Sequence, residues 1–423
     1  MDPVTLFLLV IAGTFLIGAV GEIVFERTNI PDVIWLILAG ILVGPVGGLV
    51  TRADLAQIAP YFAALTLVII LFEGGVALRL SDLAHSAPRS GLLAILSFAV
   101  SAAAVAAASM GAALVGWLPE GWSWTHGLLL GAILGGSSSI IIMPAVTRAR
   151  LRPGLANLLS LESALTDAFC VVGTGALIRI LLEGAAGEVH PGAALFKSFG
   201  MALGIGLVTG LAWLLFLRLL RAREHAYPIT LSALLILYVI IDRAGGSAAL
   251  GILTVAVILG NAQPLSRLLG IAEPVELDTS VRGFHRQMAF IIKSFFFVFI
   301  GAMLGPPWSM MTLGLLLGGV LLAARVPAVF LATVGTDLEP HEKRLGVIAL
   351  PRGMAAGVLA TLPAAAGVAH TGDIAVIVFA CVLTSIVVFA VGFAAIRRGP
   401  ASSTAAGAPA PPGPPQGSGD GGY

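Results

Sequence analysis

Apolar runs of roughly 20 residues recur almost without pause from residue 4 to residue 396, and nothing else in the chain limits its fold so strongly. A run of that length belongs in lipid, where no water satisfies a backbone N–H or C=O, so each segment must close its hydrogen bonds internally as a helix. Read this way, the chain holds thirteen spans, over roughly 4–21, 31–50, 55–77, 91–117, 127–147, 155–182, 193–219, 228–241, 247–262, 284–304, 311–334, 345–365 and 373–396. The eighth and ninth are short, divided only by Asp242-Arg243-Ala244-Gly245-Gly246. Composition agrees: 58% of residues are hydrophobic and 11% charged, against about 25% charged in soluble domains. The fold class is an all-α polytopic membrane protein in a lipid bilayer. A net charge of +1 argues against nucleic acid as a partner. Cys170 and Cys381 both lie in apolar runs and read as packing residues. The first run has no cleavage site of small residues and reads as a span, not a removable signal.

Basic residues collect in alternate connections: Arg27, then Arg79 and Arg89, the Arg148–Arg152 group, the Arg218–Arg223 group, Arg267 to Arg286, Lys343 with Arg344, and finally Arg397 with Arg398. The intervening loops hold little beyond Arg52 and Arg243. The basic side is expected in the cytoplasm, which puts the N-terminus outside and the C-terminus inside a cell (inner) membrane. An odd span count gives the same answer. Residues 1–398 form the transmembrane unit. From Gly399 to Tyr423 the chain is mostly Pro, Gly, Ala and Ser, a composition that cannot bury apolar surface and predicts a disordered cytoplasmic tail.

The two halves of the chain repeat a pattern. Leu71-Phe72-Glu73-Gly74-Gly75 ends the third span, and Phe297-Val298-Phe299-Ile300-Gly301 sits in the tenth. Each is followed by an apolar span, a span interrupted by small residues, and a last span. The interruptions are Gly135-Gly136-Ser137-Ser138-Ser139 in the fifth span and Pro351-Arg352-Gly353 in the twelfth. These two run in opposite directions, the sign of inverted repeats. Small residues also serve close helix packing. Matching breaks in both halves favour a cavity at the bilayer midplane, because backbone freed by a break is tolerated only there.

Charges inside spans are costly, and they are kept where they bind ions, relay protons or pair. Glu162 and Asp167 lie in the sixth span, in Leu161-Glu162-Ser163-Ala164-Leu165-Thr166-Asp167. On a helix Ser163 and Asp167 share one face, and Glu162 and Thr166 the neighbouring one. One face offers a carboxylate and a hydroxyl to a hard monovalent cation; the other sends Glu162 to a partner helix. Carboxylate pairing also suits proton exchange. Three cations lie at membrane depth: Arg325, Arg352 and Lys293. Arg325 is the leading partner for a buried acid, since a guanidinium stays charged and forks onto carboxylates. Arg352 stands in the twelfth-span break, where helix-end dipoles need compensation. Lys293 and Glu73 are accessory candidates; a packing lysine and a helix-end anchor are the plainer readings of the two. Ser137 and Ser138 supply hydroxyl and freed carbonyl oxygens at the fifth-span break. The seven histidines fall in loops or at span ends and are expected to be solvated.

Over most of residues 4–397 the chain resembles monovalent cation–proton antiporters of the NhaP/NHE type. Glu162-Ser163 followed by Thr166-Asp167 resembles the family's E-S-x-x-N-D, Ala323-Ala324-Arg325-Val326 its A-R-V, and Pro351-Arg352-Gly353 its x-R-G. Leu130-Gly131-Ala132 through Pro144 resembles the broken stretch that carries T-D-P, and Phe72-Glu73-Gly74-Gly75 also fits. The resemblance implies that Asp167 alternately binds cation and proton, that Ser163 is a ligand beside it, and that Glu162 pairs with Arg325. It also implies a homodimer whose core domain moves like an elevator against a dimerisation domain. Two departures stand out: Thr166 replaces asparagine, and Ser137-Ser138-Ser139 replaces T-D-P, so the second acid of the site is absent.

The expected function is secondary antiport of Na⁺, or Li⁺, against H⁺, in the service of pH homeostasis, with K⁺/H⁺ exchange as the alternative and a cation-coupled symporter behind it. Apart from the transported ions no cofactor is expected. An enzyme is disfavoured. An intramembrane aspartyl hydrolase needs two meeting aspartates and a serine type a mid-span base, and the spans offer one central aspartate and no mid-span histidine.

Overall fold

The computed structural model describes residues 2–28, 30–78, 80–148, 153–186, 191–219, 226–268, 270, 279–336 and 338–398. The expected tail at 399–423 lies outside the described residues, as do Arg79, Arg150, Arg152, Arg221 and Arg223 of the basic connections. Among the described residues all regular structure is helical. The first span is α1 (Pro3–Thr28). The second is α2 (Asp32–Ile41), continued by a π-turn over Leu42–Val46. Then come α3 (Arg52–Ala77), α4 (Leu80–Leu114), the broken pair α5 (Trp124–Leu134) and α6 (Ser139–Arg148), α7 (Pro153–Ala186), α8 (Pro191–Leu219) and α9 (Ala226–Arg243). The chain continues through α10 (Ala248–Gly260), α11 (Ala262–Leu268), α12 (Thr279–Met303) and α13 (Trp308–Ala332). It closes with the second broken set, α14 (Pro340–Ile348), α15 (Met354–Leu359) and α16 (Leu362–Ala365), followed by α17 (Ile374–Arg398).

Among the described residues ten segments are long and apolar enough to cross a membrane, the broken pair α5–α6 counting as one, or eleven if α10 and α11, bent by 75°, also count as one crossing. Two more expected spans fall on shorter apolar stretches, Asp32–Val46 and Met354–Ala365. The structure thus supports ten or eleven full crossings and does not secure the expected thirteen. The shortfall has local causes. Pro45 sits in the π-turn that ends the second span, and the Pro351–Gly353 break halves the twelfth.

Short-range signals set several helix ends. Thr51 accepts the Asp54 N–H while Asp54 accepts the Thr51 N–H, at 3.2 and 3.3 Å, which fixes the start of α3. Glycines set the closest helix contacts. A Cβ on Gly40 of α2 would lie 2.9 Å from the Gly301 Cα of α12, and one on Gly131 of α5 would lie 2.8 Å from the Ala102 Cα of α4. With only lipid outside, such close backbone approach is what holds apolar helices together.

The helices fall into two groups that alternate along the chain. The helices α1–α3, α8–α10 and α12 pack on one another; α4–α7, α13–α15 and α17 form the other group; and contacts between the groups are sparse. Both broken sets belong to the second group, and both pack against α7.

Candidate functional site

The breaks of the two interrupted spans meet. Ser138 N–H donates to the Pro351 carbonyl at 2.9 Å, and the Arg352 guanidinium donates through Nη1 to the Gly136 carbonyl. A Cβ on Gly353 would overlap the Ser138 hydroxyl and come within 2.6 Å of the Ser138 Cβ, so the crossing exists only because residue 353 is glycine. The Arg352 N–H is held by Ser385 Oγ of α17 at 2.9 Å.

Next to this crossing runs α7. Its Glu162 is fully buried and forks onto the equally buried Arg325: Nη1 to Oε1 is 3.0 Å and Nη2 to Oε2 is 2.9 Å. Arg325 also donates to Ser97 Oγ of α4 at 2.9 Å and through Nε to the Gly346 carbonyl at 2.9 Å. Glu162 and Arg325, expected as a pair, are thus brought together. Arg352 and Arg325 share a further task. Gly346 lies in the last turn of α14 and Gly136 just beyond the end of α5, where helix carbonyls lack partners and the dipole end is negative. Each arginine supplies its positive charge to one of these half-helix ends.

The serines form a directed chain. Ser137 Oγ donates to Glu162 Oε2 at 3.1 Å and lies 2.8 Å from Ser163 Oγ. With its proton committed to the carboxylate, Ser137 can only accept from Ser163. The Ser163 hydroxyl proton therefore points at Ser137, leaving its lone pairs open. Thr166 Oγ1 donates to the Ser163 carbonyl at 3.1 Å and accepts the Ser137 N–H at 3.2 Å. Thr166 therefore ties the fifth-span break to α7. Asp167 is half-buried, and among the described residues no hydrogen bond or ion pair to its carboxylate is found. It is bracketed by the break: a Cβ on Gly136 would lie 2.8 Å from Cys170 Sγ and 3.2 Å from the Thr166 carbonyl.

Lys293 and Glu73 do not join this cluster. Lys293 reaches Asp32 Oδ2 at 2.7 Å and Glu22 Oε1 at 3.5 Å, and its ammonium sits 5.3 Å from the Phe290 ring centroid. Both of its acid partners flank the connection between α1 and α2, so it is an ion-paired residue and not merely a packing lysine. Glu73 is half-buried, with Oε2 shielded from solvent and lacking a partner among the described residues, so the helix-end anchor does not describe it. Two histidines depart from the expected solvation. His126 is buried because its Nδ1 accepts the Ser123 N–H as a helix cap and its Nε2–H reaches the Ala369 carbonyl at 3.2 Å. His285 is half-buried against Phe72, with Tyr227 Oη 3.0 Å from Nδ1. Cys170 and Cys381 are buried free thiols.

Sequence reasoning missed Ser97, Ser385, Asp32 and Glu22. The two serines look like any small residue of an apolar helix. Asp32 stands at a helix start, where acids are common for dipole reasons alone. Only the position of Lys293, deep in a span, hinted that a carboxylate must reach it.

The family model described as "Sodium/hydrogen exchanger, transmembrane" matches residues 10–396. Among curated proteins, Na(+)/H(+) antiporter 1 of Methanocaldococcus jannaschii is 25% identical over 354 residues, covering 81% of this chain and 80% of its own length. The K(+)/H(+) antiporter NhaP of Alkalimonas amylolytica is 25% identical over 394 residues, and the chain spans 92% of itself but only 65% of that relative's length. Among solved structures, that of the sodium proton antiporter MjNhaP1 from Methanocaldococcus jannaschii at pH 8 superposes with a TM-score of 0.71 at 20% identity, over 92% of this chain and 96% of the other.

Proposed function

The chain belongs to the sodium/hydrogen exchanger family, and on that premise we propose that Asp167 is the group for which its transported cation and proton compete. The protein is a cation/proton antiporter and not an enzyme. One observation carries the assignment to Asp167: a half-buried carboxylate with no hydrogen-bond donor among the described residues, in mid-helix, bracketed by the meeting point of two broken spans. The neighbouring acid, Glu162, is already neutralised by Arg325. One negative charge remains, enough for one monovalent cation or one proton but not both.

The rest of the cluster assigns roles. Ser163, whose lone pairs are left open by its bond to Ser137, is the neutral ligand beside Asp167. Ser138 and the carbonyls freed at the break complete an all-oxygen shell of the kind hard cations take. Ser137 and Thr166 hold the break against α7 and contribute oxygens from the second side. Arg352 supplies positive charge at the crossing and donates to the Gly136 carbonyl. Exchange is one cation for one proton. The preferred cation is Na⁺ or Li⁺; the K⁺/H⁺ relative that aligns over 92% of the chain favours K⁺ as the second reading.

Two cavities on the seam between the helix groups support alternating access. One, of about 470 Å³, is lined by Val171 and Gly175 of α7 together with Leu67, Tyr238, Asp242 and Leu359. It begins one helical turn past Asp167 and lies toward the side we assign as extracellular. The other, of about 210 Å³, lies beside α6, toward the assigned cytoplasmic side. Thin contacts between the groups suit an elevator-like movement of the group carrying Asp167. Outward apolar residues such as Phe7, Leu16 and Ile23 of α1 and Phe196 and Val208 of α8 suit lipid and the partner of a homodimer in the cell membrane.

The test is proton flux in proteoliposomes with Na⁺, Li⁺ and K⁺ compared. Asp167→Asn is expected to abolish exchange with all three while the protein still elutes as a folded species. Exchange at the normal rate by that variant would overturn the assignment.

A further inference from the structure

The wall of the smaller cavity carries charges that the transport site does not use. Ile140, Ile141 and Pro144 of α6 form one side, and Ile140 follows directly on Ser139 at the break. The opposite side belongs to the other helix group: Glu22 and Phe25 of α1, Pro31 and Asp32 leading into α2, and Lys293 of α12. Lys293 Nζ lies 2.7 Å from Asp32 and 3.5 Å from Glu22, with the Lys293 and Asp32 side chains 13% and 15% exposed and Glu22 56% exposed. The cavity thus reaches the first turn of α6, directly beyond the break, and sets these charged groups across from it.

We propose that Lys293 is a tethered counter-cation that sets how strongly this access route attracts the transported ion. Two carboxylates and one ammonium leave a single net negative charge on the wall. The ammonium carries the same charge as a passing monovalent cation, and both suit the same carboxylate oxygens. While Lys293 occupies Asp32, the route attracts cations weakly and releases them readily. Without Lys293, two uncompensated carboxylates in a low-dielectric cleft concentrate cations. The competing explanation is a structural staple between α12 and α2. A staple predicts loss of function from either partner; a counter-cation predicts effects of opposite sign. The proposal rests on the antiporter reading with Asp167 as carrier.

The experiment measures apparent cation KM in everted and in right-side-out membrane vesicles, so that each face of the protein is presented in turn. Lys293→Gln is expected to lower KM roughly tenfold on the face that opens to the α6 cavity, with the opposite face unchanged. Asp32→Asn is expected to raise KM on that face only, and Lys293→Arg to match the unmodified protein. Both shifts should shrink when choline chloride raises the ionic strength, since salt screens such fields. Shifts of the same sign for Lys293→Gln and Asp32→Asn, equal shifts on both faces, or salt-independent shifts would overturn the proposal. If Lys293→Gln does not accumulate, Glu22→Gln decides: being partly exposed it should fold, and an unchanged KM on the cavity face overturns the idea. Failure of the Asp167 assignment looks different, as exchange persisting in Asp167→Asn. Failure of this proposal leaves exchange dependent on Asp167.

Discussion

Breaking the Glu162–Arg325 pair is the perturbation whose size the structure defines best. Both side chains are fully buried, and two parallel N–H···O bonds of 3.0 and 2.9 Å join them. Hydrogen bonds to charged groups contribute about 1.5–3 kcal/mol each, so Glu162→Ala forfeits about 3–6 kcal/mol from this fork. That overlaps the roughly 3–5 kcal/mol expected when one charge of a buried pair is stranded. Arg325→Ala forfeits the same fork together with its bonds to Ser97 and the Gly346 carbonyl. It should be the more damaging of the two, because it also uncovers the end of α14. The fork is counted in both single variants but can be lost only once. The double variant should therefore fall short of the sum by about 3 kcal/mol, at the upper end of coupling between contacting residues. The assay is a double-mutant cycle on unfolding in mixed detergent micelles, with unfolding rates as the readout if refolding is incomplete. A coupling below about 0.5 kcal/mol would refute the reasoning and show that the fork contributes little beyond its two separate environments.

Three further outcomes follow from the same geometry. Ser138→Ala should raise the apparent cation KM severalfold with a smaller effect on maximal rate, whereas Ser137→Ala should also lower thermal stability, because it removes a donor to buried Glu162; unchanged KM in both variants would return these serines to helix packing. Gly353→Ala should abolish exchange, and adding Ser138→Ala should not restore it, since the Ser138 Cβ itself lies within 2.6 Å of the added methyl; normal flux in Gly353→Ala would mean the breaks cross elsewhere. Exchange should be electroneutral, because Glu162 is neutralised by Arg325 and Lys293 by Asp32, leaving Asp167 as the one carrier charge; transport driven by membrane potential alone, read with a voltage-sensitive dye, would show another stoichiometry.

The sequence by itself determined the class of fold and the residues that matter. Runs of apolar residues too long for a soluble core leave only bundled helices, since lipid satisfies no backbone group. Glycine, serine and proline inside two such runs mark breaks that lipid would not otherwise tolerate. The cost of charge in lipid singles out Glu162, Asp167, Arg325 and Arg352 without any knowledge of their surroundings. Local periodicity also placed Ser163 with Asp167 and Glu162 with Thr166, because a helix fixes which residues share a face.

Only the tertiary structure decided which distant groups meet. Nothing in the sequence distinguishes Ser97, which binds Arg325, from the other serines of α4, because a hydroxyl in an apolar run carries no sign of its partner. The division of labour between Arg325 and Arg352, each serving the carbonyl end of one half-helix, depends on how two breaks remote in sequence are brought side by side. The fate of Lys293 depended on Asp32 and Glu22, which lie more than two hundred residues away. The number of full crossings was also beyond the apolar pattern, since a π-turn at Pro45 shortens a helix whose composition reads as continuous, and the break legible at Pro351 does not itself say how short the helices beside it become. Pairing energies are properties of contact, and contact between segments this far apart is set by packing, which local sequence does not encode.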